Sequence, residues 1–346
     1  MSVPPGGDDL LALAATPSRV AWRSLCERLD LPFDPALLPS LEAALAPWPD
    51  ALRGLPGRWL RALRHGDEHP ALTLVRTVRA TLFEAAPDPH AWARCAGLGR
   101  VVAFHLRDEH LGDAGAAALA SSPHLTHLAA LSLGHGITAD GARAIAAAPS
   151  LGGVGALDLA RNRLDAAAVA ALVASPHLGR VCEVFLGRNG LGEAAARALA
   201  AGPWRPSLVD LDANRLDGGA VAALRGGGLL ADVATLNLSH NPIGRTGCEA
   251  LAAAELPSLE VLYLHGCGLT DDDVAPLWGA PWLPGLRNLA LSGNHLGRRA
   301  LDALARCDAL GGLRELDVCA NALGAGEARA RLDASAALRG VRRLCV

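Results

Sequence analysis

Seven times between residues 162 and 321 the chain sets down one small polar side chain at a nearly constant interval. Asn162, Asn189, Asn214, Asn241, Cys267, Asn294 and Asn321 follow one another in steps of 27, 25, 27, 26, 27 and 27. Each closes the same phrase: an apolar-x-apolar pair, two residues, the Asn, one residue, another apolar. Leu157-Asp-Leu159-Ala-Arg-Asn162-Arg-Leu164 and Leu236-Asn-Leu238-Ser-His-Asn241-Pro-Ile243 are clear copies, and nine can be traced between residues 104 and 323. A fixed period of this length belongs to solenoids, in which each unit packs only on its neighbours. One unit alone orders more chain than its few buried side chains can stabilise, so the units must stack.

Each unit can be read in three parts. Period-two alternation makes the first a strand, with Leu157 and Leu159 inward and Asp158 and Ala160 outward. Asn162 ends the strand, where its amide can bond backbone groups of the next coil's loop. A helix follows, carrying Val169 and Leu172, and small residues at Gly115, Gly141, Ala168, Ala195, Ala220, Gly247 and Ala300 let each helix lie close to the sheet. Val341-x-x-Leu344-Cys-Val346 matches the strand half of one more unit.

Residues 1–97 lack the repeat and hold four of the seven tryptophans, Trp22, Trp48, Trp59 and Trp92. Ser18 caps a helix; Asp34-Pro35 opens a second, with Pro39 in its first turn or kinking it. Further helices are expected over Gly57 to His65, Ala71 to Ala85 and Pro89 to Cys95. This reads as an all-helical N-terminal cap over 1–97, covering the open end of a repeat domain over 98–346.

This pattern resembles the leucine-rich-repeat family, and within it the ribonuclease-inhibitor-like subfamily, whose repeats carry a full helix. Cys267 in place of Asn is a substitution the family tolerates. Glu109 at the ladder position of the first unit, and a second unit one residue short, depart from the pattern. The resemblance implies an α/β leucine-rich-repeat solenoid, a right-handed horseshoe with parallel strands on its concave face and helices on its convex face. It also implies protein–protein recognition on the strand face.

Composition removes alternatives. All 32 basic residues are arginine, which excludes a P-loop, kinase or Schiff-base lysine. The formal charge of −3 gives no global field for nucleic acid or anionic membrane. Apolar runs are too short to span a bilayer, and the first residues lack a secretory pattern. The expected location is the cytoplasm. The Arg, Ala and Gly bias reads as bacterial codon composition. Eight cysteines without metal spacing read as reduced, mostly buried thiols. Cys319 and Cys345 fall on adjacent strands, but an offset in register argues against a bridge.

Outward strand positions would carry function. Phe185 and the single tyrosine, Tyr263, point outward where a lone aromatic has no packing duty, as a binding hot spot would. Arg161, Arg188, Asp158, Asp210, Asp212, His240 and His265 share that face, as do Ser132 and Ser239. The acidic excess favours a protein partner with a basic patch. The histidines do not converge as metal ligands must, and His65 and His69 are separated by Gly66 and followed by Pro70. No cofactor and no catalytic group is expected. The sequence thus reads as a non-enzymatic protein-binding scaffold; the alternative is a regulator of a partner enzyme, an inhibitor or a GTPase-activating type.

Overall fold

Burial alternates residue by residue along the strands, and that alternation builds the coils. The computed structural model describes residues 6–63, 67–80, 89–106, 111–322 and 324–346. Contacts divide the chain into two compact units, 1–156 and 157–346.

In the first unit, helices Gly7–Ala14, Arg19–Leu29, Leu38–Leu45 and Gly57–Leu63 precede β1 (Thr77–Ala80). Helix Pro89–Arg94, β2 (Ala103–Leu106), helix Gly112–Ala120, β3 (Ala130–Leu133) and helix Ala139–Ala146 follow. Local chemistry sets the boundaries. The Ser18 hydroxyl accepts from the Ala21 N–H at 3.0 Å, and the Asp34 carboxylate accepts from Ala36 N–H at 2.9 Å. Pro35 opens a 3-10 turn, and Pro39 falls in the first turn of the next helix. All four N-terminal tryptophans are buried. Trp22 donates to Gly54 O, Trp48 to Ala14 O and Trp59 to Asp30, at 2.8, 2.9 and 2.7 Å.

The all-helical expectation fails at one place. Only a 3-10 turn, Pro70–Leu74, forms within the stretch expected as helix Ala71 to Ala85, and β1 follows it; residues 81–85 lie outside the described ones, as do His65 and Glu109. Leu72, Val75 and Val78 recur every third residue and imitate a helical stripe. Non-local pairing decides instead: Val78 lies beside Phe104, and Phe104 beside Leu131, in parallel register. The repeat therefore starts one period earlier than its sequence signature. Beneath β1, the Glu42 carboxylate pairs with three guanidiniums, those of Arg53 at 2.5 Å, Arg76, and Arg100 at 3.2 Å.

The second unit contains β4 (Ala156–Asp158, starting at the boundary), β5 (Glu183–Phe185), β6 (Leu208–Asp210), β7 (Thr235–Asn237), β8 (Val261–Tyr263), β9 (Asn288–Ala290), β10 (Glu315–Asp317) and β11 (Arg343–Cys345). From β5 on, neighbours pair in parallel and in sequence order. Leu157, Leu159, Leu236 and Leu238 have no exposed surface, while Asp158 and Asn237 are half-exposed. The small helix positions, from Gly115 to Ala300, are all buried. A Cβ at Gly247 would come 2.7 Å from Ile243 Cβ, which shows how close the packing is.

The polar ladder is continuous, and it runs backward rather than forward. The Asn214 amide donates to Leu186 O of the preceding coil at 3.1 Å and to its own Leu211 O at 3.0 Å. Its carbonyl accepts from Asn189 N–H and Leu191 N–H, both at 3.0 Å. Asn189, Asn241, Asn294 and Asn321 repeat the first of these bonds on Leu159, Leu211, Leu264 and Leu291. Cys267 keeps a weaker version, its Sγ 3.4 Å from Leu238 O.

A second correction concerns the cysteines. Cys319 and Cys345 form a disulfide, with Cα atoms 5.5 Å apart. Cys345 lies opposite Asp317, so the register offset is real. The Asp317 carboxylate accepts from Cys319 N–H at 3.0 Å and folds the chain back, which brings Cys319 into bonding range. Of the other six cysteines, Cys26, Cys95, Cys248 and Cys267 are buried, Cys307 is half-buried and Cys182 is exposed.

Candidate partner-binding face

All nine residues singled out from the sequence lie in the second unit, and its geometry sorts them into three rows. The first row is the last residue of each strand. Phe185, Asp210, Asn237, Tyr263, Ala290, Asp317 and Cys345 stand beside one another in register, and Asp158 is the corresponding residue of β4. Two residues on lie Asp212 and His265. One further on is a position where the backbone is left-handed in every coil: Arg161, Arg188, Ala213, His240, Gly266, Gly293 and Ala320 have φ between 50° and 67°. The ladder residue follows directly.

In the first row most coils do structural work. Asp158, Asp210, Asn237 and Asp317 each accept from the N–H two residues later, at 2.9 to 3.0 Å. These Asx turns end the strand and start the ladder loop. The acidic excess read from the sequence is therefore partly turn chemistry, signalled by Asp or Asn recurring between two ladder-facing leucines. Phe185 and Tyr263 occupy the same position without that bond available to them, and both rings are half-exposed. Tyr263 stacks on His265, with ring centroids 5.7 Å apart and planes 20° from parallel.

Charge gathers between the two aromatics. Asp212 accepts from His240 Nδ1 at 2.7 Å and lies 3.5 Å from Arg188 Nε. His265 Nδ1 is 2.5 Å from Ser292 Oγ and 3.9 Å from Asp317. His240 and His265 meet only through backbone, His240 N–H to His265 O at 2.7 Å, and their rings serve different partners. Arg161 is exposed, its N–H donating to Gly187 O at 2.8 Å. Ser132 and Ser239 do not reach the surface: both are buried, and Ser239 Oγ accepts from His265 N–H at 3.1 Å.

Beyond Tyr263 the face deepens into a cleft of about 540 Å³ lined by His265, Asn288, Glu315, Asp317 and Arg343. Arg343 pairs with Glu315 at 3.2 Å. Arg343 was not among the sequence candidates, since only the pairing of β11 with β10 brings it to this face.

Burial pushes the Asp210 carboxyl above its ordinary value of 3.8, and Asp212 and Asp158 add repulsion, opposed by the bonds from Asp212 N–H and Asn237. A carboxyl with a raised folded pKa holds its proton more tightly in the folded state, so stability falls as pH rises through that value. Relative to Asp210→Asn, the wild type is expected to lose stability as pH climbs above 3.8. Urea unfolding of the two proteins across that range would show it; parallel curves would refute it.

A family profile described as Leucine Rich repeat matches residues 233–252, the span from β7 through the helix Gly244–Ala252. No curated protein matches. Among solved structures, an internalin (inlF) of Listeria monocytogenes superposes with a TM-score of 0.46 and 16% identity, over 78% of this chain and 72% of its own. The Arabidopsis receptor kinase HAESA, solved with the peptide hormone IDA and the co-receptor SERK1, gives 0.43 and 19%, over 71% of this chain and 34% of its own. A TDR receptor gives 0.39 and 15%, over 71% and 43%. Among the described residues no helix is long and apolar enough to cross a membrane. Strand, polar ladder and outer helix return coil after coil at the period written in the sequence, which is the architecture of a leucine-rich-repeat solenoid, and the family profile matches one of those coils.

Proposed function

We propose that the strand face of residues 157–346 binds a protein partner, without chemistry of its own, and that its repeats are of the ribonuclease-inhibitor-like kind with a helix in most coils. The observation that carries the reading is the break in the first row. Where four coils use Asp or Asn to close a turn, three lack that bond, one with Ala290 and two with the half-exposed rings of Phe185 and Tyr263. A local stabilising contact is surrendered for an exposed ring, and binding is the return that explains it.

Between the rings stand Asp210 and Asp212, and Asp158 lies on the far side of Phe185. Arg188 and His240 engage Asp212, whereas Asp210 is disfavoured as an anion by burial and by its acidic neighbours. A Lys or Arg of the partner, set against Asp210 between the two rings, would relieve that repulsion. The partner is therefore one with a basic residue flanked by apolar ones, reaching toward Phe185 on one side and the Tyr263–His265 pair on the other. Arg161, Arg188 and His240 form the margin of the same surface.

The test is affinity capture from the source cell, then titration of the captured protein. Phe185→Ala with Tyr263→Ala is expected to weaken binding by roughly a hundredfold, the scale of two hot-spot truncations. Unchanged affinity would remove both rings from the interface.

A further inference from the structure

The first unit holds a cavity of about 500 Å³ that the strand face does not use. Helix Arg19–Leu29 forms one wall, residues 51–58 a second, and β1 the third. Its apolar floor comes from Trp22, Leu52, Leu55 and Pro56. Its charged lining is Arg19, Arg23, Arg58 and Arg79 against Glu27, and with Asp30 paired to Arg58 from outside the lining two positive charges remain. The chain as a whole carries −3, so overall composition does not account for this concentration.

Folding alone does not explain these arginines either. Arg19 and Arg23 lie four apart on one helix, a spacing at which like charges repel. Glu27 follows Arg23 by four residues without forming an ion pair with it, whereas at that spacing Arg245 pairs with Glu249 and Arg329 with Asp333. Among the described residues, the side chains of Arg19, Arg23 and Arg79 have no hydrogen bond or ion pair. Arg58 Nε and Nη2 are buried without a hydrogen-bond acceptor. The Asp30 carboxylate lies beside Arg58 Nε as an ion pair, but its other oxygen is taken by Trp59 Nε1.

The walls are set in advance. Trp22 Nε1 donates to Gly54 O, and Leu55 N–H donates to Thr77 O, both at 2.8 Å. Pro56 has no N–H to extend that pairing along β1. Cys26 also lines the cavity, but burial pushes its thiol up to about 12, against the pull of Arg58, so it stays protonated and unreactive. The site is built to bind rather than to attack.

We propose that this cavity binds a small phosphate-bearing anion, its oxygens shared among Arg23, Arg58 and Arg79. A phosphoryl group offers three strong acceptor oxygens and up to two charges, and guanidinium forks match it in paired bonds. A single carboxylate would leave one of the two excess charges uncompensated.

The experiment titrates inorganic pyrophosphate, adenosine diphosphate and acetate into the full chain by calorimetry at low ionic strength. Saturable one-to-one binding of pyrophosphate is expected, weakened about tenfold or more by Arg23→Ala and by Arg79→Ala, as loss of a charged hydrogen bond implies. Both side chains are exposed, and unfolding curves check that the variants fold. The Trp22 indole N–H resonance of the wild type should shift on pyrophosphate addition, a readout independent of any variant. Tighter binding of adenosine diphosphate would support the proposal with an organic phosphate as ligand; equal affinity would support it with the phosphate groups as the whole ligand. No saturable heat at roughly ten millimolar pyrophosphate, equal binding of acetate, or affinity unchanged in both variants would overturn it.

Discussion

Asn241→Ala is expected to destabilise the protein by about 3–5 kcal/mol, because one buried side chain serves four backbone groups on two coils. Its amide donates to Leu211 O at 2.9 Å, Leu238 O at 3.0 Å and Ser239 O at 3.0 Å, and its carbonyl accepts from Leu216 N–H at 3.0 Å. The residue is 1% exposed, so water cannot replace these bonds without opening the stack. Each buried group left unpaired costs roughly 1–3 kcal/mol. Asn241→Cys should fall between, since Cys267 shows that a thiol at this position still reaches the preceding coil. Urea midpoints of the three proteins give the ranking; a wild-type midpoint for Asn241→Ala would mean that the ladder contributes nothing.

Arg53→Met should be the most damaging change in the first unit, at about 3–4 kcal/mol. Arg53 is 2% exposed and donates to Leu74 O at 2.9 Å, Leu45 O at 3.2 Å and Glu42 at 2.5 Å, tying the helix Leu38–Leu45 to the 3-10 turn ahead of β1. Met fills similar space but leaves the Leu74 carbonyl unpaired, while Leu45 O keeps the Trp48 N–H at 3.0 Å. Glu42 keeps Arg76 and Arg100, so its charge is not stranded, which holds the loss below the upper end for a broken buried pair. Arg100→Met removes a bridge to the same carboxylate from a mostly exposed side chain and should cost under about 1 kcal/mol. Equal losses for the two variants in urea unfolding would contradict the role given to burial.

The period and the alternation were legible because they are local. Leu157 and Leu236 carry the whole inward signal in their own spacing, and the ladder Asn recurs where the backbone must turn. What stayed hidden depends on partners far along the chain. Thr77–Ala80 becomes a strand because Phe104 lies beside it. Cys319 reaches Cys345 because the Asp317 turn folds it back. Of the face, Phe185 and Tyr263 were visible as misplaced aromatics, but the turn duty of Asp158 and Asp210 was not, since an outward acid looks the same whether it binds a partner or its own backbone. The left-handed row was equally silent: Arg161, Arg188 and His240 carry no mark in sequence of the strained φ they adopt.

The backward run of the ladder gives the solenoid a direction. Each ladder Asn from Asn189 onward answers needs of the coil before it, so removing coils from the N-terminal side strands few polar groups, whereas removing them from the C-terminal side deprives the newly last coil of its donor and acceptor together. The two ends are chemically unequal. On that side β11 is fastened covalently, by Cys345, to the coil behind it, a link that does not depend on the ladder.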